Sequence, residues 1–462
     1  MFLVLNMPPI DLMRRAAFYF VAAVGILQVI VSNCMISGCA LMGKDVLDGF
    51  FNFGVQKDQL SLVVLLAIGI VIVITSLLGN ATIKETRSKF KFFNLLLIAL
   101  IGMNSLVMVR DVFSLYVFIE VVAVSSFIMI AMKMDEEALE GAFKYIIMSI
   151  VATMMMLFGV GLFLISCGGT HFTIIEQSVR QDPGNILSKI AMGLFMCGLF
   201  VKSGIVPFHG WLPDAYSKAP SAASVLLAGI ITKVSGVYVV IRMAMMFSPE
   251  PKIGKVLMFV GALSILIGAI AALTQSDFKR MLAYSSISQV GYIILAAGCG
   301  TGLAIVGAVF HFFNHAIFKT LLFVNAASLE ESTGSVDMDR MGGLAHNLPA
   351  AGITSMIGFL STAGIPPLAG FWSKLIIIIA LWQAKNYGYA VLAVLASVIT
   401  LGYLLSMQRR VFFGKPKPEF KDIKKENPGI VLAEIILAVI TIAGGLMFPF
   451  LMEHLFLPLA KI

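Results

Sequence analysis

Leu199-Phe200-Val201-Lys202-Ser203-Gly204-Ile205-Val206-Pro207-Phe208-His209-Gly210-Trp211 puts a lysine at the end of an apolar run and then interrupts that run with glycine and proline. Proline removes a backbone donor and clashes with the preceding turn, so a helix opens here and frees carbonyls. At membrane depth such a break survives only beside protein or a water-filled cavity. The pattern returns 160 residues later, where Gly364-Ile365-Pro366-Pro367-Leu368-Ala369-Gly370-Phe371 repeats G-I-x-P-x-x-G-aromatic. Paired interruptions in corresponding parts of two halves are a pointer to an ion site. The alternative is a pair of helix kinks used only for packing. Lys202 just before the first motif and Lys374 just after the second favour the ion site.

The rest of the chain is apolar enough to hold such breaks in a bilayer. Of 462 residues, 59% are hydrophobic and 13% charged, and the mean hydropathy is +0.97. Soluble domains run at roughly 45–50% apolar and 25% charged, so this is an all-α polytopic membrane protein. Apolar windows of spanning length fall near 16–43, 60–79, 92–109, 111–132, 145–167, 187–206, 221–247, 254–274, 281–299, 303–328, 349–384, 388–408 and 429–455, about 13 transmembrane helices. The windows 187–206 and 349–384 contain or run into the breaks. The first apolar run follows Arg14-Arg15 and has no clear cleavage site, so it reads as a span rather than a signal peptide. Cys34, Cys39, Cys167, Cys197 and Cys299 show no CxxC spacing, which points to neither a disulfide framework nor a metal centre.

Lysine and arginine collect on the cytoplasmic side of membrane proteins. With the N-terminus cytoplasmic, the inner loops hold Lys84, Arg87, Lys89, Lys91, Lys133, Lys218, Lys279, Arg280, Arg340 and the basic run Arg409 to Lys425. The opposite loops are poor in basic residues, and thirteen spans put the C-terminus outside. The net charge of +8 therefore belongs mostly to loops, with no call for nucleic acid. The basic run reads as a solvated face, with docking to an acidic partner or lipid as the alternative.

Against this background the ionisable residues inside the spans stand out. A charge at the centre of a membrane helix costs roughly 2.5–3.5 kcal/mol even on lenient scales, so Glu120, Lys202, Lys233 and Lys374 are functional candidates. Glu120 has no partner close in sequence and needs one in space. Lys202 is the natural candidate, because opposite charges offset each other's desolvation. A static pair that merely fixes packing is the alternative, and it leaves Lys233 unexplained. His311, His315 and Lys319 recur every four residues and share one helix face covering roughly 12 Å, a useful part of a lateral path. Metal ligation by the two histidines competes with this reading, but no carboxylate or cysteine stands at a metal-site spacing and HExxH is absent. Lys374 would be the exit group, without a counterpart of Glu120 in its half. His209 belongs to the first break, and His171, His346 and His454 lie in loops or at the end of the last span.

Lys202 to Ser224, with Lys233, Tyr238 and Arg242, resembles the signature of the antiporter-like membrane subunits shared by complex I (NADH:quinone oxidoreductase), membrane-bound energy-converting hydrogenases and Mrp-type cation/proton antiporters. So do Asp277 to Tyr292, His311 to Leu322, Gly364 to Lys374, and Arg110-Asp111 with Tyr116 and Glu120; together the likeness spans about residues 90–413. The resemblance implies two inverted five-helix repeats, each with a discontinuous helix, here 90–247 and 248–413. Residues 1–89 would be N-terminal transmembrane helices, and 414–462 a basic cytoplasmic loop and the C-terminal helix. It also implies a proton relay through Glu120, Lys202, Lys233, His311, His315, Lys319 and Lys374, with breaks at Gly204, Pro207, Gly364, Pro366 and Pro367.

Two departures from the family pattern are expected: thirteen spans rather than fourteen, with an N-terminal helix missing or reduced, and no long lateral helix after the last span. The implied function is proton or sodium translocation by a subunit of a redox-driven oxidoreductase or hydrogenase in a prokaryotic inner membrane. Other antiporter-like subunits and a redox arm would be its partners. No cofactor or metal is expected in this chain, with flavin or iron–sulfur clusters in partner subunits. A Mrp-type secondary antiporter subunit is the alternative reading, and an inert membrane scaffold a weaker one.

Overall fold

A hydrocarbon environment leaves each backbone N–H and C=O to find its partner within the protein, which selects helices. The computed structural model describes residues 11–36, 58–247, 251–415, 417–420, 423 and 425–461, and no β-strand occurs among them. The far end of the first window, Cys39, and parts of the basic run lie outside the described residues. The helices are α1 (Asp11–Ile36), α2 (Gln59–Thr82), α3 (Thr86–Met108), α4 (Val112–Ala131), α5 (Glu136–Cys167), α6 (Phe172–Gln181), α7 (Ile186–Ser203) and α8 (Leu212–Lys218). After them come α9 (Ser221–Met246), α10 (Pro251–Leu273), α11 (Phe278–Cys299), α12 (Gly302–Thr333), α13 (Pro349–Ala363), α14 (Ala369–Gln383), α15 (Tyr387–Val411) and α16 (Pro428–Leu446). Twelve of them are long and apolar enough to cross a membrane. The remaining sequence window, 349–384, is divided between α13 and α14.

Helix starts follow capping chemistry. Asp58, Asp111, Asp135, Asp277 and Thr301 each accept a backbone N–H three residues on, at the heads of α2, α4, α5, α11 and α12. These caps also expose a repeat 166 residues long. Val112 N–H donates to Thr170 O and Phe172 N–H to Arg110 O; at the equivalent places Phe278 N–H donates to Val336 O and Met338 N–H to Ser276 O. Gly168 and Gly334 end α5 and α12 in the same left-handed conformation. Gly204 and Gly364, also left-handed, end α7 and α13 at the two breaks. The copies therefore run from α3 to α9 and from α10 to α15. Each contains five crossings, and an odd number sends the chain into the second copy from the opposite side of the membrane, so the copies are inverted.

The interior is made by α9, α11 and α12. The spanning window of α9 is entirely buried and that of α12 is 94% buried, against 17% for α1. The helices with the ionisable residues of the middle of the chain are thus the ones shielded from lipid. Around them α10 packs closely along α11. Gly261 makes that approach possible: a Cβ there would stand 2.6 Å from Leu295 N and 2.8 Å from Gly291 O. Such small-residue seams let membrane helices meet backbone to backbone. Gly261→Ala is expected to force α10 from α11 and destabilise the protein by about 1–3 kcal/mol, the usual penalty of overpacking. A lowered unfolding temperature in detergent checks it.

Candidate functional site

In the first repeat the break itself positions the lysine. Lys202 occupies the last turn of α7, one residue before Ser203 ends the helix, and its side chain turns inward rather than out to lipid. Its Nζ donates to Glu120 Oε1 on α4 at 2.7 Å and to Ser149 Oγ on α5 at 2.6 Å. Thr153 Oγ1 donates to the same Glu120 oxygen at 2.6 Å. The lysine side chain is 1% exposed and that of Glu120 is 29% exposed, so the pair runs from the core to the lateral surface of the chain. On the other side of the break Trp211 Nε1 donates to Val201 O at 3.0 Å, taking one of the carbonyls that the broken helix frees.

Lys233 sits on α9 between the two repeats. This helix opens from α-helical to π-helical geometry over Leu227–Ile231 and again over Lys233–Tyr238. Such widened turns are uncommon and recur at functional sites. Lys233 Nζ donates back to Ala228 O, within the wide turn. Two glycines wedge α9 between the halves. A Cβ on Gly236 would lie 2.6 Å from Ser203 N, and one on Gly229 would lie 2.5 Å from Thr320 Oγ1. Ser203 follows Lys202 and Thr320 follows Lys319, so these contacts fix Lys233 between those two lysines.

The second repeat carries the remaining candidates, all buried. Lys319 Nζ donates to Ser285 Oγ at 2.7 Å and to Leu282 O at 3.1 Å, and Ser285 is bonded in turn to the Tyr403 hydroxyl. The rings of His311 and His315 lie parallel, 6.2 Å apart. His311 Nδ1 is 2.9 Å from Ser373 Oγ, the neighbour of Lys374. Lys374 Nζ donates to Thr362 O at 2.8 Å, at the end of α13, and lies 4.8 Å from the centre of the Tyr292 ring. It pairs with no carboxylate among the described residues.

The structure therefore joins Glu120 to Lys202 directly, His311 to Ser373, the chain neighbour of Lys374, and Lys233 to both halves by backbone packing. His315 touches none of the other candidates through a hydrogen bond. Both its ring nitrogens, His311 Nε2, both side-chain polar atoms of Gln289, Ser286 Oγ and Ser203 Oγ are buried without a protein partner. Buried polar atoms are normally bonded, and water is the partner that fits a polar interior.

Sequence reasoning missed several members. Tyr145, Ser149 and Thr153 of α5 occupy the places in the repeat that His311, His315 and Lys319 hold on α12, 166 residues on. Aligning the halves at that spacing finds them. Lys279 pairs with Glu330, and Arg242 with Asp58; Arg242 also bonds to Tyr238 and Ser61. Asp214 joins Lys144 of α5 to Arg280 of α11, tying the two repeats together. Burial pushes the Asp214 carboxyl up, but its bonds to Lys144 and Arg280 outweigh this and hold it below the usual carboxylate range.

An inverted pair of five-helix repeats around buried lysines and histidines defines an antiporter-like polytopic membrane protein. Residues 109–400 match the family model described as NADH:quinone oxidoreductase/Mrp antiporter, TM, and the chain belongs to this family. It is 30% identical over 398 residues to a Na(+)/H(+) antiporter subunit of Alkalihalophilus pseudofirmus, a match covering 86% of this chain and 80% of the relative. It is also 30% identical over 406 residues to a subunit of the F(420)H(2) dehydrogenase of Methanosarcina mazei, covering 86% and 81%. A chain in the structure of the membrane-bound sulfane sulfur reductase, an archaeal respiratory membrane complex, is similar with a TM-score of 0.86 and 26% identity, over 98% of this chain and 94% of that one.

Breaking a buried ion pair leaves one charge uncompensated, whereas removing both partners does not. Glu120→Gln alone is expected to destabilise the protein by on the order of 3 kcal/mol. The double variant Glu120→Gln/Lys202→Met should recover most of the loss. Thermal unfolding of the three proteins checks it, and equal losses in single and double variants would contradict the pairing.

Proposed function

We propose that this chain translocates protons as one subunit of a larger redox-driven membrane complex of the oxidoreductase or hydrogenase kind. The observation that carries the proposal is the succession of ionisable groups from the half-buried Glu120 to the buried Lys202, Lys233, Lys319, His315, His311 and Lys374, the middle four of them on α9 and α12, the helices most shielded from lipid. A helix break stands beside Lys202 and another beside Lys374. Apart from Glu120 on Lys202, the ligands of the lysines are hydroxyls and backbone carbonyls, and the unpartnered atoms around His315 and Gln289 are places for water to link them.

In this reading Glu120 controls the first carrier. Close to Lys202 it favours the ammonium; drawn away, toward the lateral surface where part of it is exposed, it favours release of the proton toward Lys233. Lys233 passes charge across the seam to Lys319 and the histidine face, and Lys374 is the terminal group. The units 90–247 and 248–413 act as two half-paths joined at α9. Moving one elementary charge against 100 mV costs about 2.3 kcal/mol, so transport needs a driver. Flavin or iron–sulfur clusters in partner subunits supply it, and neighbouring antiporter-like subunits extend the path. The complex lies in a prokaryotic inner membrane, with the N-terminus of this chain cytoplasmic and its C-terminus outside.

A second reading, a subunit of a Mrp-type secondary cation/proton antiporter, is favoured by the relative from Alkalihalophilus pseudofirmus. The subunits that co-purify separate the two: redox subunits for the first, small cation-antiporter subunits alone for the second.

Lys202→Ala or Glu120→Ala is expected to abolish ion translocation by the reconstituted complex while leaving the subunit assembled. Transport into vesicles, measured beside electron transfer, decides it. Wild-type transport by both variants would overturn the relay.

A further inference from the structure

The last spanning helix carries a carboxyl that the line from Glu120 to Lys374 does not use. Glu434 of α16 is fully buried. Its Oε1 accepts from Asn325 Nδ2 of α12 at 3.0 Å, and the same amide donates to Thr354 Oγ1 of α13 at 2.8 Å. The other oxygen, Oε2, has no protein partner, and neither does Asn325 Oδ1 or Ser328 Oγ, although all three residues are buried.

Among the described residues Glu434 forms no ion pair. Near this end of α16 stand two acids, Glu426, whose oxygens take the N–H groups of Ala350 and Ala351 at the head of α13, and Glu331 near the end of α12, bonded to Asn427, together with the exposed Lys425, which forms no ion pair with Glu434. Of the other helices packed on α16, α2 and α13 contain no titratable side chain, and α14 contributes Lys374, already bonded to Thr362 O. Farther along α12 lie His311, His315, Lys319 and Glu330, and Glu330 is paired with Lys279. An ionised carboxylate without a partner is costly in such surroundings, so the group needs a proton or a bound cation.

From this cluster a polar stripe follows α13 toward Lys374. Thr354, Ser355, Ser361 and Thr362 are all buried and lie two turns apart on one side of the helix, with Gly358 between them. Gln408 of α15 donates to Ser355 Oγ at 2.8 Å and leaves its own Oε1 without a partner. At the far end Thr362 O accepts from Lys374 Nζ. Thr354 and Thr362 are separated by roughly 12 Å along the helix. Between them Leu322 of α12 packs on Gly358, its Cδ2 only 3.0 Å from where a Cβ would stand. Polar groups thus flank one apolar step.

We propose that Glu434 is a proton-loading site that takes a proton where α12 ends and α16 begins and delivers it along α13 to Lys374, with Leu322 closing the dry step. The proposal rests on the ion-translocating reading above. In the transfer, the O–H bond on Glu434 breaks and an N–H bond forms on the neutral amine of Lys374, through water and the hydroxyls of α13. The carboxylate then regains its proton from water beside Glu331 and Glu426.

The test uses the whole reconstituted complex. Glu434→Gln keeps the shape and the bond to Asn325 but carries no exchangeable acid proton, and is expected to lower translocation at least tenfold with assembly intact. Glu434→Asp should retain a measurable part. Infrared spectra of the wild-type complex should show a buried carboxylic-acid C=O band at neutral pH that shifts in Glu434→Asp and is absent in Glu434→Gln. Wild-type transport by Glu434→Gln while Lys374→Ala is inactive would overturn the loading site and leave the relay standing. Wild-type transport by Lys374→Ala and Lys202→Ala as well would overturn the relay itself. An ionised Glu434 whose carboxylate band responds to added sodium would show a bound cation and overturn the proton assignment. Should Glu434→Gln fail to assemble, the wild-type and Glu434→Asp spectra still decide: no acid band that moves between them means no loading site.

Discussion

An ammonium group surrounded by hydrocarbon must be supplied with acceptors by the chain that carries it. Everything unusual in this fold is a way of doing so. Helices that run unbroken have no carbonyls to spare, because each is bonded four residues on. The protein frees them at the two breaks and in the wide turns of α9, and it adds hydroxyls from α5 and α11, where Leu282 O also takes a second bond from Lys319. Lys202, Lys233, Lys319 and Lys374 each sit at one of these irregularities or against one of these hydroxyls. The packing follows: glycines on α9 are needed because a helix that brings a lysine between two halves must come close to both.

Inversion makes the two halves alike in backbone and different in chemistry. The side chains of α5 that meet the first ion pair are neutral, Ser149 on Lys202 and Thr153 on the carboxylate Glu120. The corresponding face of α12 is itself ionisable, and no acid faces it within pairing distance among the described residues. One half is thus built around an ion pair and the other around bases held by hydroxyls, carbonyls and an aromatic ring. In the proposed relay, that asymmetry gives a path built from two equivalent frames a direction.

Charges in apolar runs are conspicuous, and Gly–Pro interruptions are punctuation, so Glu120, Lys202, the breaks and the His311–Lys319 face were legible in the sequence. The pairing of Glu120 with Lys202 followed from opposite charge alone. Ser149 and Thr153 were not legible, because a hydroxyl in a membrane helix usually bonds its own preceding carbonyl, as Thr153 does to Ser149 O. The π-helical turns of α9 leave no local mark: Gly229 and Gly236 look like ordinary small residues until Ser203 and Thr320 are placed against them. The roles of Glu330 and Asp58 were not legible either, since the lysine and arginine that hold them come from 51 and 184 residues away.

The bond from Lys374 to Thr362 O has a further meaning. An ammonium that loses its proton becomes an amine with two N–H groups left, still able to donate to a carbonyl. The end of α13 therefore stays bonded whether Lys374 is charged or neutral. A carboxyl group in the same position would lose its only donor on ionising and leave that carbonyl bare. In the proposed relay, lysine lets the second break keep its shape while the proton comes and goes, so the cargo is separable from the scaffold that holds it.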